Sequence, residues 1–234
     1  MNLKISFKTL VFFLFLSNSC GKESGVLLYR LGDMVKGGIH RSNAGGEAYH
    51  KANYPDSLAV AYMNSTTKSN DYDILFNLIE KQEWKSKISK YNFDFDHTLF
   101  IHLRVGDVLE QSPSTVAEHL DRHINYLNGI QYVRPLSFYA KIQQELPTNV
   151  TKVILVTGFH TPEKSTNKSL KYIRKINAFF KEKGYTTSEP LIDNPPDEDF
   201  ILMSNANFFV KSGGGYSHLI GKMVEKRAAG TVYQ

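Results

Sequence analysis

Apolar residues in this chain fall into short unbroken runs and longer segments with helical spacing, and the two kinds alternate. Residues 25–31 (GVLLYRL), 57–63 (SLAVAYM), 98–101 (TLFI) and 152–157 (KVILVT) are unbroken runs that predict buried strands. Between the second and third, Asn70 or Asp71 supplies a cap for a helix whose apolar positions are Ile74, Leu75, Leu78, Ile79 and Trp84. Trp84, the only tryptophan, reads as core on that helix. Pro135 opens a further helix with Phe138, Ile142 and Leu146 on its inner face. Residues 167–183 form a basic amphipathic helix with Leu170, Ile173, Ile176, Phe179 and Phe180 inward, its lysines read as a solvated face, and Gly184 ends it. Residues 185–192 predict a strand, 197–203 a short helix opened by three acids, 207–211 a short strand and 219–227 a helix. Strands separated by helix-length segments predict an α/β fold with a mainly parallel, Rossmann-like sheet.

The first twenty residues stand apart from this pattern. Lys4 and Lys8 precede the apolar run LVFFLFL, and small or polar residues follow, the order of a secretory signal peptide or a signal anchor. A span of about 20 apolar residues is needed to cross a bilayer, and this run is far shorter. Cys20 is the only cysteine, so no internal disulfide forms. Acceptor tripeptides for N-glycosylation begin at Asn64, Asn149 and Asn167 and agree with a secretory route through the ER or Golgi lumen, with the product secreted or membrane-tethered.

Composition narrows the classes. With 234 residues, 41% hydrophobic and 12% aromatic, the chain has enough apolar material for a real core. The formal charge of +5 reads as scattered along the sequence, which argues against a nucleic-acid partner and fits a small phosphorylated ligand better. His119 and His123 are four apart, but no third ligand stands at convincing spacing, so no metal is assigned. The glycine-rich stretch at 36–46 lacks the G-x-G-x-x-G order of a dinucleotide site; it is a surface loop or, through Lys36, His40 and Arg41, an acceptor-binding one. The polar stretch 110–129 is either a lid or an excursion carrying a short helix.

Candidate chemistry gathers at two places. The run TLFIHLRVGD ends a strand in His102, Arg104, Gly106 and Asp107, at the sheet edge where parallel α/β folds bind ligands. The run SGGGYS, Ser212–Ser217, turns a strand into a helix, and its unpaired backbone N–H groups make it either an anion site or a purely structural turn.

Taken together, HLRVGD and the later block holding Asp199, Met203, Ala206, Ser212, Tyr216 and Ser217 resemble the donor-binding half of the fucosyltransferase superfamily, including α-1,2-fucosyltransferases and protein O-fucosyltransferases. The resemblance implies a GT-B-type donor lobe over residues 96–234, with a reduced N-terminal α/β lobe at 24–95 on the acceptor side. It implies inverting, metal-independent transfer of fucose from GDP-fucose to a glycan or protein acceptor, with no cofactor beyond the donor. Arg104 would grip the diphosphate and act as the catalytic cation. His102, Gly106 and Asp107 would complete the first half of the donor site, and Asp199 would recognise base or ribose. Ser212, Gly213, Gly214, Gly215, Tyr216 and Ser217 would hold phosphate oxygens. Val105 stands where many relatives carry a second arginine, and the acceptor motif G-x-G-N-Q is absent, so a non-catalytic nucleotide-sugar- or glycan-binding protein stays open beside the enzyme. Bland roles stay open too: Arg104 pairing with Asp107 or Asp199 to hold the turn, and His102 as a core histidine. No general base is assigned among Glu110, Asp33 and Glu47.

Overall fold

The computed structural model describes residues 51–52, 54–66, 71–125, 131–159 and 166–234. The signal segment, the strand expected at 25–31, the glycine-rich loop, Asp33 and Glu47 lie outside them. Described elements begin with α1 (Leu58–Ser65), α2 (Tyr72–Ile79), the short α3 (Gln82–Lys85) and a single 3-10 turn, Ser86–Ile88. Strand β1 (Thr98–His102) follows, then α4 (Asp107–Glu110), α5 (Val116–Asp121), α6 (Leu136–Glu145) and β2 (Lys152–Thr157). The chain continues through α7 (Asn167–Glu182), β3 (Thr186–Thr187), β4 (Leu191–Ile192) and α8 (Pro196–Ser204), and ends in β5 (Phe208–Val210), α9 (Gly215–Glu225) and β6 (Thr231–Tyr233).

The six strands form one parallel sheet in the order β3-β2-β1-β5-β6, with β4 also pairing β2. Strand β1 is its centre. Leu99 lies opposite Val153 on one side and Phe208 on the other, and all five residues of β1 are buried. Alternation along β1 divides the core. Leu99 and Ile101 pack with Tyr139, Ile142, Tyr172, Ile173 and Phe180 from α6 and α7, whereas Phe100 packs with α1, α2, α8 and α9. The result is a helix–sheet–helix α/β sandwich, the coarse fold the pattern predicts.

Residues 57–63 are the main correction. They form a helix, because Ser57 accepts the Val60 N–H and Asp197, distant in sequence, accepts the Leu58 N–H at 2.9 Å. Leu58, Ala59, Val60, Tyr62 and Met63 are buried in the core cluster that contains Phe100 and Phe200, so the helices before residue 95 share the sheet's core. Within residues 54–95 the described elements are all helical. The strand expected at 185–192 is two short pieces, β3 and β4, parted at Ser188-Glu189-Pro190. The last helix starts at Gly215, inside the glycine-rich motif, and β6 was not expected from the sequence. Trp84 is buried, with the Lys87 ammonium 4.4 Å from its ring centroid.

Candidate functional site

The sheet reverses its winding between β1 and β5. From β1 the chain moves outward to β2 through α6 on one face, and from β5 it moves outward to β6 through α9 on the other. The turns after β1 and β5 therefore diverge to opposite faces and leave a crevice at the carboxyl ends of the two strands, the switch point at which α/β sheets bind ligands. Both sequence motifs lie there: 102–107 on one side and Ser212–Ser217 on the other.

Direct contacts join the two motifs. His102 Nδ1 and Ser212 Oγ are 2.7 Å apart, both residues buried, and Ser217 Oγ accepts the Ser212 N–H at 3.0 Å. The His102 and Tyr216 rings lie 5.5 Å apart, and the Tyr216 hydroxyl donates to the Pro196 carbonyl at 2.6 Å. The last contact ties the start of α9 to the start of α8, which carries Asp199. Asp199 is 6% exposed and accepts one N–H from the Asn194 amide at 3.0 Å. Burial pushes its pKa up to about 7, and the neighbouring charges of Glu198 and Asp193 push in the same direction.

Arg104 is a fifth exposed and pairs with Asp107, Nη1 to Oδ1 at 2.7 Å and Nη2 to Oδ2 at 3.1 Å, and it also donates to the Val105 carbonyl. Asp107 opens α4, so the pairing with Arg104 is also what fixes this turn. Arg104 and Asp199 make no hydrogen bond or ion pair with each other; their partners are Asp107 and Val105 on one side and Asn194 on the other. Val105 is fully buried, in one core cluster with the α6 and α7 side chains. Gly106 takes φ +69°, and its N–H donates to Ser169 Oγ at 3.0 Å. Glu110 Oε1 accepts both the N–H and the hydroxyl of Ser169, so this candidate base is engaged in fixing the start of α7.

The glycines of the second motif do different work. A Cβ on Gly213 would lie 2.6 Å from the Gln131 carbonyl oxygen and 2.8 Å from the Tyr132 Cα. Gly213 is thus required by the close approach of another backbone segment. Gly214 takes φ +97° and precedes α9, whose first residue is Gly215. The Tyr132 ring sits 3.6 Å from where a Gly214 Cβ would be and 6.0 Å from the Arg104 guanidinium, so it stands between the two halves. Gln131, Tyr132 and Asn194 carry no signal in the sequence, and Ser169 figures there only as the last residue of the acceptor tripeptide that begins at Asn167. The aromatic at 132 carried no periodic or motif signal, and only tertiary approach reveals it.

His119 Nε2 lies 2.9 Å from Ser112 Oγ, and burial lowers the histidine's pKa. Among the described residues no group of three metal-ligating side chains gathers. A cavity of about 320 Å³ lies beside α6, lined by His123, Phe138, Lys141, Glu145 and Gln234 among others, and includes none of the candidate donor-site residues. No helix among the described residues is long and apolar enough to cross a membrane. No family model, curated protein or solved structure matches the chain.

Proposed function

We infer that the chain is a glycosyltransferase of the secretory pathway that moves fucose from GDP-fucose to a glycan or protein acceptor, its sheet serving as the donor-binding lobe of a GT-B-like enzyme. One observation carries this reading: two motifs about a hundred residues apart, which resemble the donor signature of the fucosyltransferases, flank the switch point of a parallel sheet and are linked by the His102–Ser212 contact. In the proposed reaction the acceptor oxygen attacks the anomeric carbon as its bond to the β-phosphate oxygen breaks. The bonding pair leaves with GDP and the configuration inverts. Arg104 and the N–H groups at the start of α9 would meet the charge growing on the diphosphate, where electrostatic stabilisation acts most strongly. The resemblance implies that this cation and helix end serve in place of a divalent metal. Asp199 would accept from the base or ribose.

The acceptor hydroxyl's proton is released to solvent water; of the three candidate bases, Glu110 is engaged by Ser169, and Asp33 and Glu47 lie outside the described residues. That observation favours, as the second reading, a protein that binds a sugar nucleotide or glycan without transferring it. Isothermal titration with GDP tests the pocket common to both. Binding that weakens at least tenfold in Arg104→Ala supports it, whereas no binding, or equal binding by the variant, overturns it. GDP release from GDP-fucose in the presence of glycan and protein acceptors separates the two readings: a wild-type rate above that of Arg104→Ala is expected of the enzyme, and equal rates leave the binding protein.

A further inference from the structure

The formal surplus of positive charge falls within one helix and its cap. Of 28 lysines and arginines, six lie between residues 168 and 183, and of 23 acids only Glu182 does, so 22 of each sign remain elsewhere. The formal surplus of +5 therefore belongs to α7 and its cap. Tyr172, Ile173, Ile176 and Phe180 turn into the core, which leaves Lys171, Arg174, Lys175 and Lys181 exposed along the opposite face, with Glu182 beside them. None of these four cations makes an ion pair with a described residue. At 1.5 Å per residue they occupy a ridge roughly 15 Å long.

We propose that this face of α7 docks on an anionic lipid surface. The ridge is convex and has no fully exposed aromatic ring among its cations, whereas single-stranded nucleic acid calls for a stacking platform and duplex for an element that enters a groove. A planar sheet of negative headgroups meets a straight row of lysines and arginines without either, and each such cation adds roughly fivefold to binding at low salt. The proposal rests on the charge pattern of α7 and stands or falls independently of donor binding.

Vesicle flotation with the full chain tests it. Binding is expected to vesicles containing roughly one third phosphatidylserine, to fall as salt is raised, and to be weak for phosphatidylcholine alone. The triple variant Lys171→Glu/Arg174→Glu/Lys175→Glu should lose roughly a hundredfold in affinity. Reversing the exposed Lys81, Lys141 and Lys152, which lie on other elements, should lose far less; circular dichroism of both variants reports that they fold. Equal binding to the two lipid compositions, or equal losses in the two triple variants, overturns the proposal. Tighter binding to heparin or RNA than to phosphatidylserine vesicles at the same salt overturns the lipid assignment.

Discussion

His102 and Ser212, one at the end of the first strand and the other 110 residues later, share a buried hydrogen bond of 2.7 Å that closes the crevice at its base. Removing either partner leaves the other without it inside the protein, which costs about 1–3 kcal/mol. Urea unfolding of His102→Ala, Ser212→Ala and the double variant should give a coupling energy of about 0.5–3 kcal/mol. Strictly additive losses would mean that the contact contributes nothing.

Asp199 makes stability depend on pH in an unusual direction for a carboxylate. Its folded pKa of about 7 lies above its ordinary value of 3.8, so the native state holds the proton more tightly than the unfolded chain. Below pH 4 both states are protonated and the group is neutral in its effect. As pH rises from about 4 to about 7 the unfolded chain ionises first, and stability falls by up to a few kcal/mol. Replacing Asp199 with Asn removes this slope; chemical denaturation across that pH range, wild type against variant, measures it. If Asp199 meets the ligand, GDP affinity should also change with a midpoint near pH 7 in the wild type and stay flat in the variant.

Val105→Arg, which would give the chain the arginine pair found in the fucosyltransferase motif it resembles, should destabilise rather than improve the protein. The side chain is fully buried between the sheet and α6–α7, and an unpaired guanidinium there costs about 3–5 kcal/mol. A fall in the urea midpoint shows this directly. A variant as stable as wild type with tighter GDP binding would show that the turn can rotate position 105 into the crevice.

Much of this architecture is legible in the sequence because periodicity and strand chemistry agree, as in β2 and α7. Residues 57–63 mislead because a buried helix and a buried strand both present an unbroken apolar run. The useful signal was Ser57, a capping residue in front of an alanine-containing run; the second cap, Asp197, is visible only in three dimensions. The candidate site divides in the same way. Its two motifs carry their own glycine and strand-end signals, whereas Tyr132 and Ser169 enter through tertiary contacts that leave no local trace.

Gly213 and Gly214 should respond differently to alanine. At Gly213 the new methyl would strike the Gln131 carbonyl and Tyr132 backbone, and the resulting overpacking costs about 1–3 kcal/mol. At Gly214 there is room, and the cost is the backbone alone: φ +97° with ψ 165° is a conformation essentially restricted to glycine, and strain there costs about 1–3 kcal/mol. Thermal unfolding should place both variants below the wild type, one through a clash and the other through backbone strain. Gly213→Ala as stable as wild type would mean that residues 131–132 yield to the added methyl.

The placement of β1 between β2 and β5 also governs how the molecule comes into being. Each of its partners joins it across a long stretch of chain, and the second becomes available only when residues near the C-terminus have been made. Such high contact order slows folding, and until β5 arrives β1 presents an open apolar edge. The crevice is assembled by that same pairing. A ribosome-bound or truncated chain ending before β5 should be aggregation-prone and, if the crevice takes GDP, unable to bind it, so GDP binding during synthesis would report the moment at which β5 joins β1.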